Sequence, residues 1–154
     1  MSGKRLVCVV ALRINRQPVN YLVDANILSE PTKPAPVQTV LDWIRKHDDE
    51  LVINSIVLGE LEFGSLRLPL GQKRRRLEKW FSQGLPRLTV LDFDASTAST
   101  WAHLLADLRK RGQAMSVKDS LIAATALQHG LTVVTRNTTD FKYSGVKALN
   151  PFEV

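Results

Sequence analysis

Four carboxylates, remote from one another along the chain, carry its most evident chemistry: Asp24 closes the run YLVD, Glu60 lies in VLGELEFG, Asp119 in SVKDSLIAATAL, and Asp140 closes TVVTRNTTD. Asp24 and Asp140 follow apolar β-type runs, and Glu60 and Asp119 stand among apolar residues of helix-like stretches. Acidic side chains are almost never fully buried unless they are paired. Were the four gathered within a few ångströms, each like-charged neighbour at 4 Å would cost about 4 kcal/mol at an effective dielectric near 20. Protonation or a divalent cation must then intervene. Oxygen donors without His or Cys favour Mg²⁺ or Mn²⁺, and Mg²⁺ keeps several of its waters. An ion held in this way activates water and stabilises the oxygens of a phosphoryl group, so the expected chemistry is metal-assisted attack on a phosphate ester.

Each carboxylate also has a local structural explanation. Asp24, with Asn26 and Ser29, can cap the segment that follows it. Asp119 stands third after Ser116 in an S-x-x-D arrangement that resembles a capping box, although it also precedes Ile122 and Ala123 by three and four residues and so shares their apolar face. Glu60 fits the exposed side of an amphipathic helix, and Asp140 fits the acidic first turn of a segment capped by Asn137. Four such coincidences would have to fall at one end of a single sheet, which favours a shared site.

The elements that would position these groups follow from the apolar pattern. The chain has 154 residues, 44% of them hydrophobic, enough for one domain with a sizeable core. Lys and Arg number 21 against 15 Asp and Glu, and the resulting net charge of +6 favours polyanionic partners. The single Cys8 excludes an internal disulfide, no Cys/His spacing suggests zinc, and no run approaches transmembrane length, so a reducing cytoplasm is expected. Residues 1–19 place a basic start before the short run LVCVVAL, but Arg13 and Arg16 follow without a cleavage pattern, so this stretch reads as an edge strand or an upstream extension and not as a signal peptide.

From Asn20 onward, strand-like and helical stretches alternate, the signature of βαβ units and a mostly parallel central sheet flanked by helices, an α/β fold. The candidate strands are VNYLVD, ELVINS, LTVLDF, LTVVT and VKAL. A helix is expected from Pro36 with Val37, Val40, Leu41 and Ile44 on one face. A second is capped by Ser55 and carries Val57, Leu58, Leu61 and Leu68. A third is capped by Asp94, runs through Trp101, Leu104, Leu105 and Leu108, and ends at Gly112. The last runs from Ser116 to Gly130.

The segments YLVDANILSE, INSIVLGELEFG, SVKDSLIAATALQHGLTVVTRN and TRNTTDF followed by NPF, in that order, resemble those of PIN-domain ribonucleases, specifically the VapC and FitB group of toxins from toxin-antitoxin systems. The resemblance covers 20–154, with residues 1–19 outside it, and Ala25 departs from the Thr often found there. It implies a three-layer PIN-like fold and a metal-dependent endoribonuclease in which water attacks a phosphodiester to leave a 5′-phosphate and a 3′-hydroxyl. By position, Asp24, Glu60, Asp119 and Asp140 would form the catalytic and metal-binding set, Asp24 and Asp119 foremost, with Mg²⁺ or Mn²⁺ as cofactor. Asn26, Thr135 and Asn137 would support the carboxylates or the substrate phosphate. The same resemblance implies an antitoxin partner and a homodimer.

RNA held beside an acidic centre needs cations, and Lys118 and Arg136, next to proposed ligands, are the candidates for this role. The run Lys73 to Arg76 reads better as a solvated helix face. Trp43, Trp80 and Trp101 read as packing residues, and His47, His103 and His129 show no ligand spacing. Two other classes fit parts of the pattern. A Mg²⁺-dependent phosphatase or phosphotransfer domain would need a second Asp where Asn26 stands, and a non-catalytic nucleic-acid-binding module would use the carboxylates as caps alone.

Overall fold

The computed structural model describes residues Asn20–Val154. Five short strands form one sheet: β1 (Tyr21–Val23), β2 (Leu51–Asn54), β3 (Thr89–Leu91), β4 (Thr132–Val134) and β5 (Ala148–Leu149). All pair in parallel, in the order β3-β2-β1-β4-β5. Six α-helices connect them: α1 (Ala25–Leu28) and α2 (Gln38–Lys46) before β2, α3 (Ser55–Leu66) and α4 (Gln72–Gly84) before β3, and α5 (Ala95–Lys110) and α6 (Val117–His129) before β4. The chain steps outward from β1 to β3 and then returns to β1's other side. Because parallel crossovers are right-handed, connections before and after that reversal cover opposite faces, which makes the three layers of the α/β fold. The core is the middle of the sheet, where Leu22, Val23, Ile53, Val133 and Val134 are fully buried against Ile27, Val40, Val57 and Ile122. β3 lies at the edge, with Thr89 and Val90 exposed.

Several helix boundaries depart from the sequence expectation. The Glu30 carboxylate accepts the Val37 N–H at 3.0 Å, so Pro36 lies outside α2 and the helix starts at Gln38. Asn54, not Ser55, caps α3: its Oδ1 accepts the Val57 N–H at 2.9 Å from an extended backbone, and α3 ends before Leu68. Asp94 does cap α5, accepting from Thr97 N–H and Oγ1. Gly130 closes α6 at φ +64, a left-handed turn that glycine adopts without strain. Trp43 is buried, edge-on to Tyr21 and stacked on His47 at 4.4 Å, so His47 packs on the residue one helical turn before it. The expectation for residues 1–19 lies outside the described residues.

Candidate acidic active site

The strand order reverses between β1 and β4, and open parallel sheets bind ligands outside the carboxyl ends of strands at such a switch point. Asp24 leaves β1 there and Thr135 leaves β4. Asp24 is 3% exposed, and its two carboxylate oxygens are held separately. Oδ1 accepts the Ala25 N–H at 2.8 Å as the cap of α1, while Oδ2 accepts the Thr135 hydroxyl at 2.8 Å and the Asn26 amide at 3.3 Å. The two oxygens of Asp24 thus have different partners, one capping α1 and the other held by Thr135 and Asn26.

Asn26 and Thr135 tie the two strand ends together. The Asn26 amide also donates to Thr135 Oγ1 at 3.2 Å, and its carbonyl oxygen accepts the Arg136 N–H at 3.2 Å. The Asn137 N–H donates to the same Thr135 oxygen at 3.2 Å. Thr135 Oγ1 therefore gives its one proton to Asp24 and receives two, which uses all its capacity. Of the two roles proposed for Thr135, supporting the carboxylate is the one its hydrogen bonds fill. Asn137, by contrast, acts here through its backbone and makes no side-chain cap to the turn Thr138–Phe141, so the cap proposed for Asp140 does not form.

Glu60 on α3 and Asp119 on α6 approach this corner from the helices. Burial pushes the Glu60 carboxyl above the usual range, and the like charges of Asp24 and Asp119 add to that push, while Lys118 opposes it. Burial likewise raises Asp119, with Asp24 and Asp140 contributing, against the Ser116 hydroxyl and Lys118. All four carboxylates thus share one electrostatic neighbourhood. Lys118 answers part of the excess charge, its ammonium lying 3.0 Å from Glu60 Oε1. Ser116 caps α6 through the Asp119 N–H at 3.1 Å, as the S-x-x-D spacing suggested. Among the described residues no three Asp, Glu, His or Cys side chains converge closely enough to hold an ion between them as they stand. The expectation of a cluster within a few ångströms is corrected accordingly: Asp24 is engaged with Thr135 and Asn26, and Glu60 with Lys118.

The residues nonetheless suit a divalent ion. The donors are all carboxylate oxygens, and the corner already draws a cation, the Lys118 ammonium, onto one of them. Asp24 and Asp119, with Glu60 and Asp140, are the residues that would hold it. Of the other cations, Arg136 is exposed and stacks over the Phe152 ring at 4.6 Å, its backbone fixed by Asn26 and by the Asn150 amide.

Sequence reasoning missed a second polar link. Asn54 is fully buried, and besides capping α3 its amide donates to Thr125 Oγ1 at 3.0 Å on α6. One side chain thereby sets the helix of Glu60 against the helix of Asp119. Trp101 adds a further tie, donating from Nε1 to Ser120 Oγ at 2.9 Å, directly beside Asp119. A buried polar residue at a strand's carboxyl end was the only available signal, and Asn54 offered it within ELVINS.

The described residues 21–144 match the family model described as PIN domain. The chain is 39% identical over 139 residues to the plasmid stability protein StbB of Pseudomonas syringae pv. tomato, covering 86% of this chain and 98% of that one. It is 37% identical to the VapC ribonuclease Y4jK of Sinorhizobium fredii, covering 86% and 97%. Among solved structures it resembles FitAcB from Neisseria gonorrhoeae, at a TM-score of 0.81 and 33% identity over 87% of this chain and 99% of that chain.

Proposed function

The chain belongs to the PIN-domain family, and from that membership and its acidic corner we propose that it is a metal-dependent endoribonuclease, the toxin of a toxin-antitoxin pair. The observation that carries the reading is Asp24, buried at the switch point and locked by Thr135 and Asn26, with Glu60 and Asp119 within its field. Mg²⁺ or Mn²⁺, when bound by these carboxylates, would supply an activated water and charge stabilisation at the phosphodiester. The protein's own part is positional. Thr135 and Asn26 orient Asp24, Asn54 and Ser116 fix the two helices, and Lys118 and Arg136 offer positive charge to the RNA phosphates. A ribonuclease relative, a plasmid stability relative and a FitAcB-like structure support the toxin role and an antitoxin partner, and a homodimer and a cytoplasmic setting belong to the same proposal.

The phosphatase alternative loses further ground, since the amide of Asn26 is spent on Asp24 and Thr135 and supplies no second carboxylate. We expect the purified protein to cleave RNA with Mg²⁺ or Mn²⁺ and to stop on chelation. Asp24→Asn and Asp119→Asn should each lower cleavage at least a hundredfold while circular dichroism stays unchanged. Undiminished cleavage by both variants would place the activity elsewhere, and a wild type that binds RNA without cutting it would favour the non-catalytic module.

A further inference from the structure

Two adjoining cavities, of about 370 and 430 Å³, run away from the acidic corner between α1, α3 and α4. The first opens at Asn26 and Glu60, the second continues to Gln72 and Arg76, and they share walls at Thr32, Leu68, Lys73 and Leu77. Together they make one groove that starts at the proposed site of cleavage. Its cations are Lys33, Arg67, Lys73 and Arg76, and the one carboxylate on its walls is Glu60, at the catalytic end.

The basic run of α4 is thereby sorted. Arg74 lines neither cavity and is engaged locally, donating from Nε to Glu78 at 2.7 Å and from Nη1 to the Leu68 carbonyl at 3.5 Å, whereas Lys73 and Arg76, one helical turn apart, both line the groove. Arg75 and Lys79 are exposed and line neither cavity. Lys33 is partly neutralised by Glu30 at 2.7 Å, which leaves Arg67, Lys73 and Arg76 as the principal charges. A row of cations over an apolar floor of Leu68 and Leu77 suits an anionic chain with flat, partly apolar units, which describes single-stranded nucleic acid.

Resting on the nuclease reading above, we propose that this groove is the track for the single-stranded RNA flanking the scissile phosphate, with Lys73 and Arg76 binding backbone phosphates remote from the cut. The track holds the flanking strand, while the carboxylates act only at its end. Phosphate contacts release counterions, and for single strands each contributes about 0.7 to the slope of log affinity against log salt.

The test uses the Asp119→Asn protein, which holds RNA uncut, and a fluorescein-labelled mixed-sequence oligoribonucleotide read by anisotropy over a salt series. Lys73→Gln with Arg76→Gln should flatten the slope by about 1.4 and weaken binding on the order of tenfold at 0.1 M salt. Arg75→Gln with Lys79→Gln removes the same charge from the same helix and should leave the slope unchanged. In the active protein the first pair should raise KM with kcat preserved. Equal effects from both pairs, or none from either, would overturn the track. So would a labelled oligoglutamate that binds more tightly than RNA and depends on the same two residues, since it would make the groove a protein seat. Failure of the wild type to cleave RNA would count against the nuclease reading and leave the binding comparison intact.

Discussion

Asp119 and Glu60 have carboxyls raised by burial and by their acidic neighbours, which fixes the sign of a pH effect. A raised carboxyl contributes stability that is fully present below its unfolded value and is lost as pH rises through its folded value. At neutral pH the metal-free protein therefore carries a repulsive corner that Lys118 only partly offsets. Asp119→Asn removes one of the charges. We expect the metal-free variant to melt above the wild type at pH 7, by about 2–4 °C for each kcal/mol of repulsion relieved. The difference should close as pH falls into the range where Asp119 is protonated. Differential scanning calorimetry in chelator across pH 4–8 checks it, and a variant that melts lower at pH 7 would mean that Asp119 is stabilising without a cation. Under the proposed function the same carboxylate would lower stability in the metal-free protein and serve the chemistry when an ion is bound, a trade expected where function sets the residue.

At the scale of elements, the site is a meeting of chain segments held by short polar links. β1 meets β4 through Asp24, Asn26 and Thr135, and α3 meets α6 through Asn54 and Thr125. Asn54→Ala removes a helix cap, worth about 1 kcal/mol, and a fully buried side-chain hydrogen bond, for a combined loss of about 1–3 kcal/mol. Asn54→Ser keeps a capping oxygen but is too short to serve Thr125 as well, and should recover part of the loss. Urea denaturation separates the three proteins, and equal stability of Asn54→Ala and wild type would remove the link's importance. Glu30, whose carboxylate reaches the start of α2, does comparable work: burial alone would raise it, but Lys33, the Val37 N–H and Arg136 outweigh that and hold its carboxyl below the usual range. Its contribution is present above the unfolded value and is lost only as pH falls through the lowered one.

For the whole molecule, an ion at the corner would join β1, α3, α6 and the turn after β4, segments that span the described chain. Binding to the native state alone adds about 2.7 kcal/mol at a hundred times Kd, which at this size is a rise in Tm of about 5–10 °C. Mn²⁺ should produce that rise in the wild type and not in Asp24→Asn, and an equal rise in both would place the ion elsewhere. Much of this was legible beforehand. Alternating apolar runs set the α/β class, and the strand candidates around Leu22, Ile53, Val90, Val133 and Ala148 all became strands; burial on both faces demands the continuous apolar residues of the central β1, β2 and β4, whereas β3 and β5 are exposed edges. The four acidic positions stood out because carboxylates are costly among apolar neighbours. Strand order was not legible, since the pattern of a buried strand is the same whichever neighbour it pairs with, and so neither was the switch point between β1 and β4. Hydrogen bonds such as Thr135 to Asp24 and Asn54 to Thr125 join residues more than 70 positions apart, and only the closed fold could reveal them. Local composition therefore decided which groups could do chemistry, while the packing of distant segments decided which of them hold one another, because short-range spacing carries no information about partners that loops bring together from afar.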